Sequence, residues 1–321
     1  MTGGDLVSLD QVREAAERLK GVAIPTPTLP SAELSDLLDG EVRLKCESLQ
    51  RAGAFKIRGA YNFISRLPRE ALDRGVITYS SGNHAQAVAL AAGIMGARSV
   101  VVMPTTAPDV KRRGAERLGA EVVLEGTTSL ERRARAEEIA EAEGLTIVPP
   151  FDDPRIIAGQ GTVGLEIHEA WPDVQAVLVP VGGGGLLSGI AATLRRVRPE
   201  VVILGVEPRG AASMRLALDE GRPAALDTIE TIADGLAPVR AGELTFRHVR
   251  DLVDDVVTVD DDAIRDATRF LLVRQKLVVE FSGAATVAAL RSGVVSAQGR
   301  RVVAVLSGGN AEPSALRELL E

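Results

Sequence analysis

Short runs rich in Val, Ile and Leu recur along this chain, separated by stretches whose apolar residues fall at helical spacing. That alternation limits the folds open to the chain more than any other feature. The pattern predicts strands at 42–46, 76–80, 99–103, 121–124, 146–148, 176–181, 201–206, 255–259 and 302–306. Helices are predicted between them, among others at 85–92, 130–143 and 187–197. Strands that are apolar on both faces and separated by helices assemble into mostly parallel, doubly wound sheets, so the fold class is α/β. Aromatic residues make up only 3% of the chain, which suits small-residue helices on Val/Ile strands and suits an all-β sandwich poorly.

A length of 321 residues leaves room for two domains at about 150 residues each. No Pro-, Gly- or Ser-rich linker divides the chain, so a division has to be discontinuous, one α/β unit inserted into another. PTPTLP at 25–30 reads as an extended crossing near the N-terminus. The formal net charge of −7 argues against a dedicated nucleic-acid binder and against a protein held on anionic lipid. Cys46 is the single cysteine; it excludes an intramolecular disulfide and a Cys-based zinc cluster, and it reads as a packing residue. The first 30 residues hold no apolar secretory core, and no run approaches the about 18 apolar residues of a membrane span, so the expected location is the cytoplasm.

Four segments carry chemistry, and each falls where a predicted strand gives way to a helix, the edge of an open α/β sheet at which ligands bind. VPVGGGGLLSG at 179–189 leaves a run of unobstructed backbone N–H groups at a helix start, a cup for a small terminal phosphate. It departs from the Walker A pattern, because Ile190 follows Gly189, and from G-x-G-x-x-G, because Leu187 or Ser188 stands at the third position. A tight turn for close packing is the competing explanation. RAGAFKIRGA at 51–60 places Lys56 near a helix start, where the helix dipole and Arg58 are expected to lower its pKa; alone, such a lysine is simply solvated. SSGNHAQ at 80–86 offers hydroxyls, a glycine and an amide that can hold a carboxylate, or serve as a plain N-cap. SGGN at 307–310 is the fourth, with an ordinary strand-to-helix turn as its alternative. His168 and His248 read as structural or solvated, and the charge run ERRARAEE at 131–138 as a solvated helix face.

A lysine near a helix start, SSGNH, a tetraglycine cup and a late SGGN, in this order, resemble the fold type II pyridoxal-phosphate enzymes, and within them the serine/threonine dehydratase and serine racemase group. GQGTVGLEI at 159–167, ETIADGLA at 230–237 and VEFSGAA at 279–285 extend the resemblance over nearly the whole chain. It implies that Lys56 holds pyridoxal phosphate as a Schiff base, with Phe55 beside the cofactor ring. It implies that Ser81 faces Lys56 from the opposite side in racemising members, and that Asn83 bonds the cofactor's phenolic oxygen. Ser80, Ser81, Gly82, Asn83 and His84 would surround the substrate carboxylate. Gly182, Gly183, Gly184, Gly185 and Leu186 match the phosphate cup, and Ser307 the partner of the pyridine nitrogen. The resemblance also implies an inserted small domain at 67–146, with 1–66 and 147–321 forming the large one, and a homodimer or homotetramer.

Two departures stand out. Members that bind a divalent cation use a Glu, a backbone carbonyl and an Asp; Glu207 and Ala211 match, but Ser213 occupies the third position. Where the family commonly has Glu-Pro-Ser-Gly-Ala, Glu280 is followed here by Phe281. Feedback-controlled threonine dehydratases carry a further C-terminal domain, and since the sequence stops soon after SGGN no such control is expected. The expected activity is α,β-elimination of threonine or serine to a 2-oxo acid and ammonia. The alternatives are serine racemisation, dehydration of another β-hydroxy amino acid such as 3-hydroxyaspartate or phenylserine, and, from another class, a nicotinamide-dependent dehydrogenase, which the broken G-x-G-x-x-G disfavours.

Overall fold

The computed structural model describes residues 6–80, 82–107 and 109–321, apart from the side chain of residue 110. Two sheets organise them. The larger has six strands in the order β1-β2-β10-β7-β8-β9, formed by Thr28–Pro30 (β1), Glu41–Cys46 (β2), Ala176–Pro180 (β7), Val202–Pro208 (β8), Asp255–Val259 (β9) and Arg301–Leu306 (β10). The smaller has four in the order β5-β4-β3-β6, from Val76–Tyr79 (β3), Ser99–Met103 (β4), Glu121–Leu124 (β5) and Thr146–Ile147 (β6). Every pairing is parallel except β1 with β2. All four strands of the smaller sheet fall between 76 and 147, and β6 runs across the division expected between 146 and 147.

Both faces of the larger sheet are covered, as the apolar runs require. Val302, Ala304 and Leu306 of β10 pack on one side, against Ala284, Val287 and Ala288. Val303 and Val305 pack on the other, against Ile167, Leu187 and Ile190. The period of two along one strand thus feeds two separate cores. In the smaller sheet Val100 and Val102 face Ala136 and Ile139, whereas Val101 and Met103 face Ala85 and Ala89. Among the described residues no helix is long and apolar enough to cross a membrane.

PTPTLP is not merely a crossing. Its last half forms β1, an antiparallel edge strand with Leu29 opposite Leu44. Pro30, which has no N–H to give, is tolerated because the strand lies at the edge. The helices that position the site are Ile57–Ile64 (α1), Asn83–Met95 (α2), Asp109–Arg117 (α3), Ser129–Glu143 (α4), Pro154–Ala170 (α5), Gly185–Val197 (α6), Ser213–Glu220 (α7) and Phe281–Arg291 (α8). The helices α1 and α5 meet backbone to backbone: a Cβ on Gly159 would lie 2.5 Å from the Arg58 carbonyl oxygen and 2.7 Å from Gly59 Cα.

Candidate active site

Lys56 is set by its neighbours in sequence. Ala54 bridges to Gly308, and the Phe55 amide donates to the Ser307 carbonyl at 3.2 Å, which stitches the segment before α1 to the loop after β10. Lys56 is the residue that caps α1, and its Nζ donates to the Pro150 carbonyl at 2.9 Å. Burial pulls its pKa down to about 8, with Glu280 opposing that shift. The expected contribution of Arg58 is absent. Arg58 is turned into a buried cluster, its guanidinium donating to Glu47 at 2.8 Å and to Glu166 at 2.6 Å, so desolvation lowers the lysine and no neighbouring cation is needed.

The glycine loop follows β7. Gly184 has φ +92°, a left-handed conformation that L side chains adopt at a cost of about 1–2 kcal/mol, and it caps α6 without any side-chain bond. A Cβ on Gly183 would lie 2.2 Å from the Phe151 ring, and one on Gly184 would lie 2.6 Å from the Met214 methyl. The Gly183 carbonyl is tied to the Thr245 hydroxyl at 2.7 Å. The amides of Gly182, Gly183, Gly184 and Gly185 meet no backbone acceptor among the described residues. Four N–H groups with no backbone acceptor there, at the positive end of a helix, suit an anion cup.

After β3 the Ser80 hydroxyl accepts the Gly82 amide at 3.3 Å, and Asn83 opens α2. Ser81 lies outside the described residues. His84 is buried, and its Nε2 meets the Val148 carbonyl at 3.1 Å, which makes that nitrogen the protonated one. Its Nδ1 is buried without a partner among the described residues, and burial lowers the ring's pKa to about 3, so His84 is neutral and presents a lone pair.

A cavity of about 270 Å³ collects these groups: Phe55, Lys56, Ser80, Gly82, Asn83, His84, Gly182, Gly183, Gly184, Gly185, Leu186 and Ser307 all line it. Glu207, Ala211 and Ser213 lie elsewhere. Both Glu207 carboxylate oxygens accept backbone amides at 2.8 Å, from Met214 and Arg215 at the start of α7, and burial raises its pKa to about 8 despite those bonds. One carboxylate already engaged, beside a buried Ser213 hydroxyl without a partner among the described residues, does not fit a divalent cation. Pyridoxal phosphate does fit the cavity, since it holds a phosphate cup, an amine of lowered pKa and a hydroxyl at the end of β10.

Sequence reasoning missed several cavity residues. Glu280 is buried, its pKa raised to about 7 by that burial, and it accepts from Asn83 Nδ2 at 2.5 Å. Lys111 of α3 is ion-paired to Asp234. Arg132 corrects the reading of 131–138 as solvated: it is buried on the inward face of α4 and lines the cavity. It shares that face with Ala136, Ile139 and Ala140, a helical spacing that was the available signal.

The sequence matches the family described as "Pyridoxal-phosphate dependent enzyme" over residues 19–308. It is 44% identical to L-threonine ammonia-lyase of Thermotoga maritima, across 98% of this chain and 78% of that one. It is 42% identical to the catabolic L-threonine dehydratase of Escherichia coli, across 98% and 96%. Among solved structures, maize serine racemase superposes with a TM-score of 0.94 at 37% identity, covering 98% of this chain and 97% of that one. The processed threonine deaminase isoform 2 of Solanum lycopersicum superposes at 0.89 with 41% identity, covering 99% and 94%.

Proposed function

This chain belongs to the pyridoxal-phosphate dependent enzyme family, and we propose that it is an L-threonine ammonia-lyase that also takes L-serine, converting a β-hydroxy amino acid to a 2-oxo acid and ammonia. The observation that carries this reading is the meeting of Lys56 and the glycine loop in one cavity. A nicotinamide-dependent dehydrogenase falls away with the family assignment.

When bound, pyridoxal phosphate supplies an electron sink for the charge that develops at the substrate α-carbon. The residues do the rest. The glycine-loop amides at the start of α6 hold the phosphate, and Leu186 closes the cup. Lys56 would hold the cofactor through Nζ and take the α-proton at the same atom; a pKa near 8 leaves part of the amine neutral at physiological pH. Phe55, whose ring centroid is 5.1 Å from Nζ, would lie beside the cofactor ring. Ser307 would offer the pyridine nitrogen a neutral hydroxyl, a partner suited to loss of a β-hydroxyl. Asn83 gives an N–H to the phenolic oxygen. Ser80, Ser81 and Gly82 take the substrate carboxylate together with the start of α2. His84 joins them as a neutral ring whose only N–H is already engaged by Val148.

Residues 67–146 act as the smaller, inserted domain, and the working form is a cytoplasmic homodimer or homotetramer. The test is release of 2-oxo acid by the purified, cofactor-loaded protein from L-threonine, L-serine, 3-hydroxyaspartate and phenylserine. No release from either L-threonine or L-serine sinks the reading.

Serine racemisation is the second reading, favoured by the 0.94 superposition on a serine racemase. It needs an acid–base group on each face of the substrate, and the resemblance implies Ser81, outside the described residues, as the partner to Lys56. Formation of D-serine from L-serine, lost in Ser81→Ala while elimination persists, distinguishes it.

A further inference from the structure

Asn83 is held from both ends. Its Oδ1 accepts from Asn310 Nδ2 at 2.8 Å, and its Nδ2 donates to Glu280 Oε1 at 2.5 Å. Asn310 gives its other N–H to the Ala52 carbonyl, also at 2.8 Å. A side-chain amide has two chemically different ends of nearly equal shape, and only its partners decide which end points where. Asn310 Nδ2 can only donate, so the end of Asn83 opposite it must be the oxygen.

The backbone is cut to admit this chain of amides. Gly53 has φ +71°, and a Cβ there would lie 2.2 Å from Asn310 Oδ1. A Cβ on Gly308 would lie 2.2 Å from Glu280 Oε1 and 3.1 Å from Asn83 Nδ2. Two glycines, one in RAG and one in SGGN, thus leave room for the contacts that fix Asn83.

We infer that Asn310 and Glu280 are positioning residues that lock the flip of the Asn83 amide, so that Nδ2 keeps its second N–H for the cofactor's phenolic oxygen. This rests on reading the cavity as a pyridoxal-phosphate site. An N–H given to the phenolic oxygen stabilises its negative charge and loosens its hold on the neighbouring proton. Losing that N–H raises the pH at which the bound cofactor's visible band is half lost.

The experiment titrates that band in the loaded parent, Asn310→Asp, Asn83→Ala and the double variant, and follows apoenzyme melting beside it. Asn310→Asp keeps the shape but cannot donate to Asn83 Oδ1, so the flip is released. The midpoint is expected to rise by about one pH unit, the worth of one hydrogen bond. Asn83→Ala should show the same rise, with no addition in the double variant. A parental midpoint in Asn310→Asp with cofactor still bound overturns the inference and leaves the site reading intact; no visible band in the parent overturns both. If melting shows that Asn310→Asp does not fold, Asn310→Ala reads the same midpoint, and a parental value there overturns the inference equally.

Discussion

Lys111 and Asp234 form an ion pair that joins the four-stranded unit to the six-stranded one at the edge of the cavity. Lys111 sits on α3 between β4 and β5, whereas Asp234 begins a short turn that precedes β9. Burial works against the ammonium, but Asp234 and Glu280 outweigh it and raise its pKa. Asp234 stays half exposed, so the pair contributes about 1 kcal/mol or less to folding. Because both residues line the cavity, loss of the pair is expected to act on substrate binding more than on folding. Lys111→Met should therefore raise KM for L-threonine about three- to tenfold and lower Tm by about 2 °C or less. Steady-state kinetics and a melting curve check both; a large Tm loss with parental KM contradicts the assignment.

Gly183→Ala tests the phosphate cup. The new methyl meets the Phe151 ring, and overpacking of this kind costs about 1–3 kcal/mol. Pyridoxal phosphate should then bind about ten- to a hundredfold more weakly, as measured by titration of apoenzyme. Adding Phe151→Ala removes the obstruction and should recover much of the affinity.

Lys56 captures the cofactor's aldehyde only as the neutral amine. Its pKa is lowered from 10.5 to about 8, so the neutral fraction grows as pH rises through 8. The rate at which apoenzyme develops visible absorbance with pyridoxal phosphate should reach half its maximum near pH 8. A midpoint near 10.5 means that burial does not depress this lysine.

Ser213→Asp tests why the Glu207 region does not fit a divalent cation. Chelator or millimolar Mg²⁺ should leave the parent's Tm unchanged, because the neutral Ser213 hydroxyl adds no second carboxylate to Glu207. The variant, with a second carboxylate nearby, should lose stability in chelator and regain several degrees on adding Mg²⁺. Cation sensitivity in the parent contradicts this account.

Much of the architecture was legible because strand and helix periodicities are local properties. The predicted strand at 99–103 coincides with β4, and those at 121–124 and 255–259 with β5 and β9. The strand β1 escaped notice because three residues with a terminal proline carry no period. Lys56 and the glycine loop were legible because a free backbone cup has a sequence signature. Lys111 carries none, and Glu280 stood in a matched motif that gave it no role: each reaches the cavity through tertiary packing, and a lone buried charge looks like any surface charge until its partners are known. Asn310 stood inside a recognised motif, yet its bond to Asn83 spans 227 positions of chain. The depressed lysine was expected, but for the wrong cause, since burial cannot be read from the identity of its neighbours.

The backbone contact between α1 and α5 has a consequence for how this enzyme can change. In a saturation library, Gly159 should tolerate glycine alone, because even a methyl collides with the backbone of α1 directly after the lysine. Leu130, Arg133 and Arg240 line the cavity from exposed positions and should tolerate broad sets of residues. Inherited variation is thus partitioned: the helix contact behind the amine is closed to drift, while the cavity's rim is free to explore new side chains. Descendants of this chain can acquire different substrate preferences by neutral steps at the rim, without passing through forms that have lost the chemistry.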